Sequence, residues 1–157
     1  MTKHYWERQQ QIDHLFKIVD KVQSDENIDS EIKSCLAKYL CVVVSGFLET
    51  SIQDIYMDYA QRNAQTNVAN FTSRKLTGFH SAKMGNILAL SGGFCQNWRT
   101  ELELITKDEI GDSITSLVDN RHHIAHGKDV GITYSRIKSY YSNSVKLLKL
   151  IEKQCNK

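Results

Sequence analysis

No proline occurs anywhere in this 157-residue chain, and only eight glycines do. Proline removes a backbone donor and breaks helix interiors, so a chain without it is free to run through long uninterrupted helices. All-β domains of this size usually place several prolines and glycines in their turns. The chain is therefore expected to be all-α.

Hydrophobic spacing divides that helical chain. Ile12, Leu15, Phe16 and Val19 recur at helical intervals, predicting a first helix from about Tyr5 to Val22, ended by Ser24-Asp25-Glu26-Asn27. Asp29 suits an N-cap, so a second helix is expected from there to about Asn63. It carries Ile32, Cys35, Leu36, Tyr39, Val42, Val43, Phe47, Ile52, Ile55, Tyr56 and Tyr59. Its middle is apolar almost all round, as in a central core helix. The polar stretch Asn67 to Gly78 reads as a loop with a short turn of helix. Ser81 to Leu90 reads as a helix stopped by Gly92-Gly93, Phe94 to Ile105 as another, and Tyr134 to Gln154 as a long closing helix burying Ile137, Tyr141, Leu148 and Ile151. No repeat or low-complexity tract interrupts the pattern. The expected architecture is a single domain over 1–157, an up-and-down helical bundle of four long helices with shorter inserted helices.

Composition sets limits on partners. Hydrophobic residues make up 41% and charged residues 24%, which suits one globular domain with a real core. The net charge is only +2 and the basic residues are scattered, so any affinity for nucleic acid has to come from a local site. Cys35, Cys41, Cys95 and Cys155 lack the density of a disulfide scaffold and the C-x-x-C spacing of zinc or redox sites, so free thiols in a reducing cytosol are expected. The amino-terminal MTKHYWERQQQIDHLF is too polar for a secretory signal, and LCVVVSGFL is short for a membrane span. The chain is expected to be complete, cytoplasmic and without membrane contact.

The stretch LVDNRHHIAHG, residues 117–127, carries the chemistry. Thr106-Lys107-Asp108-Glu109 fits a capping box, which predicts a helix from about Lys107, and Gly127 suits the left-handed residue that ends one. With Arg121 set at zero and about 100° per residue, Ile110, Ile114, Leu117, Val118, Ile124 and Ala125 fall within about 60° of it. Arg121 thus centres an apolar stripe, where a guanidinium needs a carboxylate, a phosphate or a wet interface. His122 and His126 stack one turn apart beside it, and His123 points away toward solvent. RNA carries its own nucleophile, the 2′-hydroxyl. Cleavage needs a base, an acid and a cation for the phosphorane, which imidazoles and a guanidinium supply near neutral pH without a metal.

These residues resemble the motif of the HEPN superfamily nucleases, in which four to six spacer residues separate an arginine from a histidine and a polar residue usually follows the arginine. The chain is similar in particular to standalone RiboL-PSP-HEPN-like proteins. Leu117-Val118 match the approach to their motif and Ile124-Ala125-His126-Gly127 its ending, while His122 replaces the commoner asparagine with another hydrogen-bonding side chain. LCVVVSGFLETSIQDIYMDYA precedes the motif by about 70 residues, as the family's second helix does, with Glu49 where an acidic residue often stands. The resemblance implies a metal-independent endoribonuclease or an RNA-binding module, without a cofactor, that pairs as a homodimer and joins Arg121 and His126 of both subunits in one groove. His126 would transfer protons, Arg121 would stabilise phosphorane oxygens, His122 would add hydrogen bonds and Glu49 would support Arg121. The family resemblance further implies a toxin or antiviral-defence role, with an antitoxin or a nucleotidyltransferase as partner.

Blander readings stand beside these. As a structural arginine, Arg121 would pair with Glu49 or Asp119 inside the bundle. His126 suits a helix C-terminus, where the dipole favours a cation. His122 and His126 have zinc-binding spacing, but HHIAH lacks the glutamate of the zinc-protease motif and no third ligand is evident. Tyr134, Tyr140 and Tyr141 serve as base-stacking platforms or as core residues. A non-catalytic RNA- or nucleotide-binding module and a dimerising adaptor remain the alternatives to an enzyme.

Overall fold

The Asp29 carboxylate accepts a hydrogen bond from the Glu31 amide at 2.7 Å and opens the longest helix, α2, Ser30–Asn63. A cap of this kind satisfies one of the donors that every helix start leaves free. The computed structural model describes residues 3–157, and no strand occurs among them. Around α2 stand α1 (Lys3–Ser24), α3 (Thr66–Leu76), α4 (Met84–Phe94), α5 (Gln96–Thr106), α6 (Glu109–Ala125) and α7 (Tyr134–Cys155). The four long helices are α1, α2, α6 and α7, and three eleven-residue helices are inserted between α2 and α6.

α2 is the central element, packed against α1, α3, α6 and α7. Leu40, Leu48 and Ile52 on α2, Ile114 and Leu117 on α6, and Ile137, Leu147 and Ile151 on α7 are fully buried and meet in one core. Burying a side chain of this type contributes about 1.5–3 kcal/mol, so these contacts between α2, α6 and α7 contribute strongly to the stability of the bundle. α2 is long and apolar enough to cross a membrane by composition alone, yet half of its most apolar stretch is buried against the other helices. Its amino-terminal third is different: Ile32, Cys35, Tyr39 and Val42 recur at heptad-like intervals and are exposed.

Several local expectations change. Residues 67–78 are mostly the three-turn helix α3 rather than a loop, because Ala69 and Leu76 repeat at helical spacing and bury against α2. Gly92 and Gly93 do not stop α4. It continues to Phe94, whose ring stacks on buried Tyr56 with centroids 4.7 Å apart, and the chain breaks at Cys95, which is extended with φ −157°.

The capping box also fails to form. The Thr106 hydroxyl donates to the Leu102 carbonyl at 2.7 Å within α5, and α6 begins at Glu109 without a side-chain cap. Gly111 permits this tight junction, since a Cβ there would lie 2.1 Å from the Thr106 carbonyl oxygen. Asn143 on α7, 1% exposed, donates to Ser113 Oγ at 2.8 Å and to Glu109 at 3.3 Å, fixing α6 in register with α7.

Candidate functional site

The upstream part of the α6 apolar stripe, Ile114, Leu117 and Val118, is buried against the bundle. Its continuation, Arg121 and Ala125, is exposed, although Ile124 between them still packs partly against the core. The helix ends as the sequence suggested. Gly127 adopts φ +70°, its amide donates to Ile124 O at 3.0 Å, and the Lys128 amide donates to His123 O at 2.9 Å. These two bonds form a Schellman cap that holds His126 as the C-cap residue just after Ala125. The following loop returns to the core through Val130 and Ile132 and is tied to α2 by Lys38 and Asp129, 3.1 Å apart.

The cap places His126 against His122, with ring centroids 4.3 Å apart and planes inclined by 59°. Both are exposed, as is Arg121, whereas His123 is half-buried rather than fully solvated. Partial loss of water, then the positive charges of His126, His123, Lys83 and Lys128, hold the His122 imidazole below the ordinary histidine range. Both effects disfavour the protonated form of His122, which suits it to accept a proton or a hydrogen bond.

The two carboxylates that sequence offered to Arg121 are engaged elsewhere. Glu49 accepts from the Ser81 amide at 2.9 Å and lies 3.2 Å from His80 Nδ1, while Asp119 pairs with Lys83 at 2.6 Å. Among the described residues no acidic side chain pairs with Arg121. The structure thus brings Arg121, His122 and His126 together on one exposed helix end, and it puts Glu49 in a separate contact with the turn before α4.

Lys83 and His80 are the residues that sequence reading missed. They lie about 40 residues before the motif, and only the packing of α4 against α6 brings that turn beside it. The tyrosines belong to the frame. Tyr140 is buried, Tyr141 stacks on Phe16 and donates to Asp13 at 2.6 Å, and Tyr134 donates to Asp20 at 3.0 Å. Among the described residues no group of three or more His, Cys, Asp or Glu side chains gathers where it would hold a metal ion.

An all-helical bundle that presents an arginine and two histidines on the last turn of its penultimate helix has the form of the HEPN superfamily, a class that includes ribonucleases. The model of the RiboL-PSP-HEPN family matches residues 6–157, nearly the whole chain, and the protein belongs to that family. No curated protein and no solved structure matches the chain.

Proposed function

We propose that the protein is a metal-independent endoribonuclease whose site is built by Arg121, His122 and His126. The observation that carries this reading is the exposed Arg121: it lies on the helix face that is buried upstream, no carboxylate among the described residues pairs with it, and two imidazoles in mutual contact follow it on the same helix end. A guanidinium so placed suits the non-bridging oxygens of a phosphodiester. The neighbouring His126 disfavours protonation of His122, which suits His122 to the base role on such a substrate.

The chemistry is an internal transfer. His122 takes the proton from the 2′-hydroxyl, the oxygen attacks phosphorus, and Arg121 neutralises the phosphorane. His126 protonates the departing 5′-oxygen. A 2′,3′-cyclic phosphate and a 5′-hydroxyl result, and every proton and electron pair is accounted for without an ion. Support for a homodimer comes from the exposed stripe of Ile32, Cys35, Tyr39 and Val42 on α2, on the helix that α6 packs against, and from Arg121 itself, which suits a groove completed by a second copy. A cytoplasmic toxin or defence enzyme, neutralised by an antitoxin, is the biological setting we favour.

The test incubates the parent and His126→Ala proteins with mixed RNA in excess chelator and identifies the ends. Cleavage with cyclic phosphate ends that disappears in the variant is the expected result. Intact RNA held by the parent and released by Arg121→Ala would replace the enzyme with a binding module, and loss of dimerisation alone in that variant would leave an adaptor.

A further inference from the structure

The turn before α4 is built with more care than a connection requires. Gln53 Nε2 donates to Phe79 O at 2.8 Å, Glu49 takes the Ser81 amide and faces His80, and Asn86 Nδ2 donates to Ser81 O at 2.7 Å. Ser81 is held at φ +58°, a conformation that favours glycine, and buried Ala82 and Met84 anchor the turn on either side of Lys83. The result is a lysine whose backbone has little freedom and whose ammonium reaches Asp119 on α6. Asp119, His122 and His126 follow one another at intervals of three and four residues, so they share one face of the helix. Asp119 and His122 are three residues apart, about 4.5 Å along the helix axis, so the Lys83 ammonium at Asp119 stands on the histidine side of α6. Lys83 and Asp119 side chains are each 46% exposed, open to a polyanion from outside.

From this placement we infer that Lys83 is a phosphate-binding residue of the site, gripping the RNA backbone phosphate next to the one that Arg121 and the histidines address. The inference rests on the reading of this helix end as an RNA site. Glu49 is then a positioning residue: it acts through the turn, not through Arg121. Asp119 keeps the ammonium aimed along the histidine face in the free protein and yields it to phosphate when RNA arrives, since a strand offers a fully charged acceptor at the same ammonium.

A structural tie and a phosphate grip predict different behaviour. Removing either end of a tie, by Lys83→Gln or Asp119→Asn, has one and the same effect. Removing a grip by Lys83→Gln weakens binding, whereas Asp119→Asn removes a repulsive carboxylate and leaves binding equal or stronger. The experiment measures affinity for a mixed-sequence single strand carrying 2′-O-methyl groups throughout, which blocks cleavage, across a series of salt concentrations. Lys83→Gln should weaken binding about five- to tenfold at low salt and reduce the salt slope by about 0.7, the share of one phosphate contact on a single strand. Lys83→Arg should restore both.

Equal effects of Lys83→Gln and Asp119→Asn, or an unchanged salt slope in Lys83→Gln, would overturn the inference. A parent that binds the strand with the expected Lys83 dependence but cleaves no natural RNA would sink the enzyme and leave Lys83 in place. A parent that holds no strand would sink both.

Discussion

Gly111→Ala tests whether the α5–α6 junction sets the position of the site helix. Alanine in a helix is ordinarily better than glycine by about 1 kcal/mol, so propensity alone predicts stabilisation. Packing predicts the opposite. The added Cβ would sit 2.1 Å from the Thr106 carbonyl oxygen, a backbone atom of a residue 2% exposed whose side chain is bonded back to Leu102. Even a tight van der Waals contact requires separating the two by about 1 Å, and no flexible side chain is there to give way.

Overpacking typically costs 1–3 kcal/mol, and a rigid backbone neighbour puts this case at about 3. Net of propensity, about 2 kcal/mol of stability should be lost. For a domain of this size that lowers Tm by roughly 4–8 °C. Gly46→Ala is the matched control. It lies within α2 with nothing inside 4 Å of the added Cβ, and it should gain up to about 1 kcal/mol and raise Tm by roughly 2–4 °C. Reversible thermal unfolding followed by far-ultraviolet circular dichroism measures both. If Gly111→Ala melts at or above the parent temperature, the close approach of Thr106 does not govern the junction and the reasoning fails.

Three further outcomes are expected. Arg121→Ala should abolish RNA cleavage while changing stability by no more than about 0.5 kcal/mol, because the side chain is exposed and unpaired; a melting temperature several degrees lower would make the arginine structural. In an NMR titration the His122 ring should protonate at lower pH than an ordinary histidine, since the protonated form is disfavoured in the fold, and His126→Ala should move that titration upward by removing a neighbouring positive charge; a His122 titration unmoved by this substitution contradicts the contact. Asp29→Ala should cost about 1 kcal/mol, read as a Tm roughly 2–4 °C lower, and an unchanged Tm would mean that the α2 cap contributes nothing.

Local chemistry was legible in the residue order. The missing prolines, the Asp29 cap, the apolar run of α2, the Gly127 stop and the face shared by His122 and His126 all depend on neighbours within a turn or two, so spacing alone determines them. Where the reading went astray, a longer-range contact outweighed a local signal. Phe94 stacking on Tyr56 carries α4 through two glycines, and burial of Ala69 and Leu76 makes a helix of a polar stretch. Thr106 closes α5 in place of capping α6 because the junction is tight enough to need Gly111.

The site divides along the same line. Sequence alone determined that Arg121, His122 and His126 share one helix end, because they are bound by the 3.6-residue period and a glycine stop. Tertiary structure alone decided which charges meet them. Glu49 turned to Ser81 and His80, Asp119 took Lys83, and Arg121 was left facing outward. Those pairings join residues about 30 to 40 positions apart, and such partners are chosen by how helices pack rather than by any pattern along the chain.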